Sequence, residues 1–199
     1  MNRLGYIIGF FIILLFNSCS KLDIENPQLL SINTLKPHTF FIPYSDSLAA
    51  LNGNFEKQLL TSLNGTWTFH WSPKPSDRPK DFYRIGFKTN GWDSIKVPGL
   101  MELQGFGIPR YLDEEYVFTP NPPYIPDNDN PVGSYLKEFE YCNDWVDKQV
   151  ILHLGSVNSA LYCWVNGEKV GFAKGSKTPV EFDITSYLKN GKNLVALEL

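Results

Sequence analysis

The chain has 199 residues, of which 43% are hydrophobic and 20% charged, the composition of an ordinary folded chain with one core. Its formal net charge is -3, and no cluster of lysine and arginine is interleaved with aromatic residues, so the sequence disfavours nucleic-acid binding. Aromatic residues make up 15% of the chain, a share that suits a β-rich core and also a carbohydrate site, where rings stack on sugars.

Residues 1–19 have the pattern of a bacterial lipoprotein signal peptide. Arg3 precedes an apolar run over residues 4–16, which has the length of a signal peptide and is too short to span a membrane. The run leads to Cys19, directly after Ser18, so Cys19 is the candidate lipid-bearing first residue of the mature chain. An ordinary secretory signal that contains a cysteine is the alternative. Both predict export to the bacterial cell envelope, as an outer-membrane lipoprotein or in the periplasm.

Residues 20–57 are predicted to be a tether and an extended lead-in, because prolines are scattered through them and no periodicity is sustained. From there to residue 199 the chain has short alternating runs separated by turn residues, which is typical of an all-β sandwich. Strand-like runs are predicted at residues 65–71, 135–141, 150–154, 159–165, 168–173 and 194–199. A turn is predicted at residues 131–133, a turn or helical piece at 179–188, and a tight hairpin at Asn166 and Gly167.

Motifs for metal or nucleophilic-serine chemistry are not found in the sequence. The three histidines, His38, His70 and His153, are far apart, and each is expected to be a packed or exposed residue without a ligand role. Cys142 and Cys163 could pair in an exported protein, or both could be buried free thiols. The fold class alone therefore leaves the function open.

A series of motifs adds the missing specificity. They are SLNGTWTF at 62–69, VPG at 97–99, GFGIPRY at 105–111, NPPYIP at 121–126, NPVGSY at 130–135, GSVNSA at 155–160, WVNG at 164–167, VG at 170–171 and EFDI at 181–184. In this order they resemble the N-terminal sugar-binding domain of glycoside hydrolase family 2, in its β-galactosidase branch. Residues 58–199 are accordingly predicted to be that jelly-roll (galactose-binding-like) domain, incomplete at its C-terminus.

The resemblance implies a retaining glycosidase whose two catalytic glutamates lie in a (β/α)8 barrel beyond Leu199, after an immunoglobulin-like domain. Retention needs two carboxyl groups about 5 Å apart, and the adjacent acids at residues 113–115 do not form such a pair, so the segment alone is predicted to be inactive. Magnesium and sodium are implied only for the full-length enzyme, with no cofactor in this segment. A homo-oligomer is compatible with the resemblance.

The resemblance also places one loop of this domain, residues 109–123, against the bound sugar. Tyr111 and Asp113 are the candidate substrate-binding residues, although the family usually has asparagine where this chain has Asp113. An ionised aspartate can accept a hydrogen bond from a sugar hydroxyl but cannot donate one. Asp113 as an exposed turn residue without sugar contact is the alternative.

Other residues that could attract a functional interpretation are expected to be structural. Asn158 and Asn166 are predicted to be turn residues rather than sugar ligands. The three tryptophans Trp67, Trp71 and Trp164 fit core positions, whereas Phe118 and Tyr124 lie in the proline-rich loop, where they are candidates for contact with the barrel or the sugar.

Three hypotheses remain from the sequence. The first is the N-terminal portion of an exported β-galactosidase-like enzyme, which acts on terminal β-galactosides, has its membrane contact through the lipid anchor and does not bind nucleic acid. The others are a free-standing carbohydrate-binding lipoprotein and a structural envelope module. Because the sequence stops inside a predicted strand, the first is expected, and glucuronidase and mannosidase branches of the family remain open.

Overall fold

The computed structural model describes residues 22–110, 118–141, 145 and 147–199. Nine strands are present in these residues: β1 (Ser31–Ile32), β2 (Gly65–Ser72), β3 (Asp93–Val97), β4 (Val132–Tyr141), β5 (Ile151–Leu154), β6 (Ala160–Val165), β7 (Glu168–Lys174), β8 (Val180–Asp183) and β9 (Gly191–Glu198). One short helix, α1, covers Ser47–Leu51. Single 3-10 turns are at Asp23–Glu25, Phe55–Lys57, Pro75–Asp77, Glu102–Gln104 and Thr185–Tyr187. Among these described helices, none is long and apolar enough to cross a membrane.

The strands form two antiparallel sheets, which confirms the predicted all-β jelly-roll sandwich. The larger sheet has the order β1-β7-β6-β9-β4-β2-β3, and the smaller one pairs β5 with β8. Alternate side chains of β2, β4, β6 and β9 point from the larger sheet toward the smaller one, where they meet Leu152 and Phe182 in a shared core. The predicted alternation of Trp67 and Phe69 on β2 is confirmed, because both rings are buried in this core.

A second aromatic cluster covers the other face of the larger sheet. Phe82, Tyr83 and Trp92, from the connection between β2 and β3, pack on Trp164 and other outward-facing residues of the sheet. The ring of Tyr83 is stacked parallel on that of Trp164 with centroids 4.7 Å apart. The central strands of the sheet are therefore buried on both faces, which explains why β4 is buried without alternation from Val132 to Leu136.

Local sequence patterns and tertiary contacts agree at the hairpin between β6 and β7. Asn166 and Gly167 have φ values of 52° and 91°, as a tight hairpin turn with two left-handed residues requires, so the prediction is confirmed. The Asn166 side chain also donates to the Tyr187 carbonyl and to Asn193 Oδ1, both at 2.8 Å. It is a structural residue, as expected.

Two short segments differ from their predictions. Val132 and Gly133, predicted to be part of a turn, begin strand β4, because Gly133 exchanges two backbone hydrogen bonds of 2.9 Å with Leu199. The segment predicted to be a turn or helical piece starts instead as strand β8, because Val180 and Phe182 pair with β5 before the 3-10 turn at Thr185–Tyr187. In both cases pairing with a distant strand decides the conformation.

The lead-in segment, residues 22–44, lies along the edge of the sandwich. Its strand β1 pairs with β7 of the larger sheet, and just afterwards Thr34 bridges to Phe182 and Leu35 N donates to Glu181 O at 2.9 Å. The lead-in segment thus adds backbone hydrogen bonds to both sheets in turn and covers one open edge between them.

Candidate functional site

The arm, residues 98–131, is the connection between β3 and β4 and contains the loop predicted to contact sugar. The structure describes its outgoing limb, residues 98–110, and its return limb, residues 118–131. Both limbs are attached to the sandwich by side-chain contacts described below. These two limbs form the root of the arm, on either side of residues 111–117, which lie outside the described residues.

The outgoing limb is fixed first by Gln104. Its side chain accepts from Lys96 N at 2.8 Å and donates to Lys96 O at 3.0 Å, so it completes the hydrogen bonding at the end of β3. Gly99 makes this possible, because a β-carbon at that position would lie 2.6 Å from Gln104 Nε2. Without a side chain at Gly99, the chain can turn back toward the end of β3 directly after the strand.

Aromatic residues of β2 form the surface on which the outgoing limb rests. Phe106 packs edge-on against Phe69 with centroids 4.6 Å apart. Gly107 has a φ of 81° and lies so close to Trp71 that a β-carbon would be 3.2 Å from the indole Nε1. Among the described residues the buried Trp71 Nε1 has no hydrogen-bond partner, so its indole acts as a packing surface. Trp67 and Trp164 are core residues, as predicted.

The two limbs are joined to each other and to the neighbouring turn by charged groups. Arg110 on the outgoing limb forms an ion pair of 3.0 Å with Asp129 on the return limb. Asp127 accepts from Ser76 N at 2.8 Å and from Ser76 Oγ at 2.7 Å, with Lys74 3.8 Å away. The hydrogen bonds from Ser76, together with Lys74, lower the pKa of Asp127 below its ordinary value. Asp127 is therefore ionised at neutral pH and holds the return limb to the turn after β2.

The predicted substrate-binding residues lie between these limbs. Tyr111 and Asp113 are outside the described residues, as is Cys19, the predicted lipidation site. The two other aromatic candidates are described: Phe118 is half-buried, whereas the Tyr124 side chain is 56% exposed on the return limb. An exposed tyrosine on a rigid limb is available for contact with a sugar or another domain.

The structure brings together two histidines that no pattern in the sequence connects. Glu181 on β8 accepts from His38 Nε2 at 2.6 Å and from His153 Nδ1 at 2.8 Å. His38 Nδ1 lies 2.9 Å from Thr39 O, so both of its ring nitrogens face acceptors and the ring is best satisfied when protonated. Although these three side chains meet, no group of three or more His, Cys, Asp or Glu residues among the described residues is arranged so that it could hold a metal ion. The cluster ties the lead-in segment to the smaller sheet.

The thiol of Cys163 is free and buried on β6, with a pKa raised to about 12 by burial. Cys142, its alternative partner in the sequence, is outside the described residues. Glu198 on β9 is a partly buried carboxylate that lies 3.3 Å from Arg78 Nε. Burial raises the pKa of Glu198 even though Arg78 acts in the opposite direction.

Comparison with known proteins identifies the domain that carries this arm. The family model for the sugar binding domain of glycosyl hydrolases family 2 matches residues 60–199. The β-galactosidase of Priestia megaterium is 39% identical over 180 residues, which cover 88% of this chain and 17% of that protein. The β-galactosidase of Halalkalibacterium halodurans is 37% identical over 180 residues, covering 88% of this chain and 18% of its own length. The chain thus spans less than a fifth of the length of these relatives.

The fold is shared with a solved structure of a different specificity. The crystal structure of Ruminococcus gnavus β-glucuronidase superposes with a TM-score of 0.52 at 22% identity, covering 70% of this chain and 21% of that one. At this identity the likeness concerns the sandwich alone. With the match to the family model over most of its length, the chain belongs to glycosyl hydrolase family 2, and residues 60–199 are its sugar binding domain.

Proposed function

We propose that this chain is the N-terminal portion of an exported, retaining β-galactosidase that hydrolyses terminal β-galactosides in carbohydrate catabolism. The observation that carries the proposal is the identity of 39% and 37% to two β-galactosidases across 88% of the chain. The rest of the polypeptide is proposed to supply the immunoglobulin-like domain and the barrel. The substrate specificity is proposed from these relatives, since the glucuronidase likeness is one of fold.

The arm is proposed to supply a contact to the galactosyl ring rather than a catalytic group. Its root is supported on both limbs, through Phe106 on β2 and through Asp127 on Ser76. A rigid root is what a positioning loop needs, because displacement of a substrate contact by about 1 Å lowers the rate strongly. Asp113 is proposed to accept from a sugar hydroxyl, with Tyr111 beside it.

The chain by itself is proposed to be inactive. A retaining mechanism needs an acid and a nucleophile about 5 Å apart across the anomeric centre. The two partly buried carboxylates described above lie on different sheets, and each is held by side-chain contacts. Glu181 on the smaller sheet contacts two histidines, and Glu198 on the larger sheet contacts Arg78. The catalytic glutamates are proposed to lie in the barrel.

Export and anchoring are proposed from the sequence of residues 1–19, with Cys19 as the lipidated residue and the bacterial cell envelope as the location. Magnesium and sodium are proposed only for the full-length enzyme. Metabolic labelling with a fatty acid tests the anchor: the native chain should be labelled, and Cys19→Ala should not. Labelling of both proteins, or of neither, would contradict the proposal.

The central test is to express the complete coding sequence and to measure hydrolysis of a β-galactoside and of the matching β-glucuronide. The proposal predicts activity on the galactoside with retention of configuration and little activity on the glucuronide. In that enzyme Asp113→Ala should lower kcat/KM by about tenfold or more, because this is the effect of losing the free energy of one hydrogen bond to a charged group. The thermal stability should be nearly unchanged. Unchanged kinetics would make Asp113 an ordinary loop residue.

A binding measurement on the isolated chain is the second part of the test. Calorimetry with galactosides should show weak or undetectable binding, because most of the sugar contacts are proposed to come from the barrel. Tight, saturable binding by the chain alone would favour a free-standing carbohydrate-binding lipoprotein instead.

A further inference from the structure

The lead-in segment contacts the arm as well as the sheets. Glu25 Oε1 accepts a hydrogen bond of 3.1 Å from the backbone N–H of Ile125 on the return limb. These two residues are 100 positions apart in the sequence, and the bond is partly buried. A residue predicted to belong to a tether therefore holds the limb that leads back from the proposed sugar contact.

Glu25 is itself held firmly. The Lys174 ammonium group on β7 donates to Asn26 O at 2.7 Å and to Ile24 O at 3.2 Å, so it binds the carbonyl groups on either side of Glu25. Asp23 forms an ion pair of 2.8 Å with Lys169, also on β7. The 3-10 turn at Asp23–Glu25 is thereby held at the edge of the larger sheet by two lysines of β7.

The position of this bond on the arm indicates its role. Ile125 lies two residues before Asp127, which is tied to Ser76, and four residues before Asp129, which is tied to Arg110. Those two bonds fix the return limb at residues 127–129. The residues just before them, which include Ile125, connect this fixed part to the proposed sugar-contacting segment. The hydrogen bond from Ile125 N to Glu25 adds a restraint at this part of the return limb, two residues before Asp127.

We infer that the lead-in segment is a support for the arm and that Glu25 is a positioning residue for substrate binding, acting through the Ile125 backbone. The part of this inference that concerns substrate rests on the proposed function. Loss of the carboxylate should loosen the arm without unfolding the sandwich, because the sheets, Asp127 and Arg110 retain their own contacts.

Trypsin provides a direct readout of the arm, because Arg110 is the only lysine or arginine between residues 98 and 131. On the full chain, Glu25→Ala should accelerate cleavage after Arg110 by about tenfold, since cleavage follows the population of the opened arm. Glu25→Gln keeps an acceptor oxygen for Ile125 N–H and should cleave at nearly the native rate. Glu56→Ala, at an exposed glutamate in the 3-10 turn Phe55–Lys57, is the matched control and should have no effect.

Lys174→Met removes the support of Glu25 without touching the carboxylate. It should accelerate the same cleavage, and the double variant with Glu25→Ala should be no faster than the faster single variant, as expected when two residues act through one restraint. Fully additive effects, or native cleavage rates in Glu25→Ala, would overturn the inference.

The complete enzyme separates positioning of substrate from stability. Glu25→Ala should raise KM for a β-galactoside about fivefold to tenfold, with kcat and the melting temperature close to native values and Glu25→Gln close to wild type. A native KM in Glu25→Ala would refute the substrate role even if cleavage were accelerated. If the native enzyme hydrolysed no galactoside, the proposed function would fall, whereas the cleavage series would still decide whether Glu25 supports the arm.

Discussion

Gly171 on β7 lies where the lead-in segment and the two sheets meet. A β-carbon at this position would lie 2.4 Å from the Ile32 carbonyl oxygen on β1 and 2.5 Å from the Phe182 ring on β8. The first neighbour is backbone and the second is a fully buried ring, so neither can move away easily. The absence of a side chain here lets β1 pair with β7 while Phe182 fills the core beneath.

Gly171→Ala should therefore destabilise the chain by about 1–3 kcal/mol, the usual cost of adding a methyl group to a packed site. Gly155→Ala is the matched control, because its β-carbon would meet only His153 Nε2 at 3.6 Å, an ordinary contact. Urea unfolding of the two variants measures the difference. Equal stability of Gly171→Ala and Gly155→Ala would show that the lead-in segment is not packed as described.

Residue-scale predictions from the sequence succeeded where the signal was local. Asn166 and Gly167 predicted the hairpin correctly, because two adjacent residues that tolerate positive φ are sufficient for that turn. The bonds from Asn166 to Tyr187 and Asn193 could not be predicted, because those partners lie more than 20 positions away and no pattern links them. The bond between Glu25 and Ile125 could not be predicted either, because these residues are 100 positions apart in the sequence.

At the scale of elements, the lead-in segment is attached to the smaller sheet by a bridge that depends on pH. Hydrogen bonds from the His38 ring to Thr39 O and to Glu181 raise the pKa of His38 above its ordinary value of 6.5. Burial alone would raise the pKa of Glu181, but hydrogen bonds from His153 and His38 outweigh burial and lower it below 4.5. A protonated His38 between an ionised Glu181 and a carbonyl oxygen is the state that the geometry favours.

The sign of the pH dependence follows from these two shifts. The His38 contribution to stability is complete below pH 6.5 and is lost as the pH rises through its raised pKa. The Glu181 contribution is complete above pH 4.5 and is lost as the pH falls through its lowered pKa. Attachment of the lead-in segment should therefore be strongest between these two values.

His38→Gln tests the bridge. The melting temperature of the native chain should exceed that of the variant most clearly near pH 5.5, and the difference should shrink as the pH rises through the raised pKa of His38. His70→Gln is the control, since the described contact of the His70 ring is with Trp92 at 5.2 Å. An advantage of the native chain that stayed constant or grew toward alkaline pH would contradict the bridge.

Elements with a strong local period were predicted well, and those formed by tertiary contact were not. The run at residues 65–71 became β2 because its alternation places Trp67 and Phe69 on the core face, and the run at 159–165 became β6, which the Asn166–Gly167 turn ends. β8 was missed because its pairing with the distant strand β5 leaves no local signal in the sequence. The aromatic cover formed by Phe82, Tyr83 and Trp92 was missed for the same reason, since those residues have neither helical nor strand spacing.

At the scale of the whole molecule, the sandwich carries one long connection, the arm, whose described limbs are attached to it. The larger sheet has apolar side chains packed on both of its faces, and strand β1 of the lead-in segment pairs with β7 at one edge. The arm has contacts at β2, at the turn after β2 and at the lead-in segment. This arrangement agrees with the proposed role of the arm, a contact to substrate in an enzyme whose reaction is proposed to take place in other domains.

The sequence located the arm through its resemblance to a family, and composition alone would not have done so. Proline and glycine in residues 98–131 predict an irregular connection, but no local pattern singles out this loop as the proposed sugar contact. The roles of Tyr111 and Asp113 therefore depend on the resemblance, while the structure contributes the supports on either side of them.

The most direct measurement is a structure of the complete protein with a non-hydrolysed galactoside analogue bound. We expect Asp113 within about 3 Å of a sugar hydroxyl, with the return limb still bonded to Glu25 and the catalytic carboxylates supplied by another domain. A bound galactosyl ring with the arm turned away from it, and no contact from residues 105–126, would refute the proposed role of the arm.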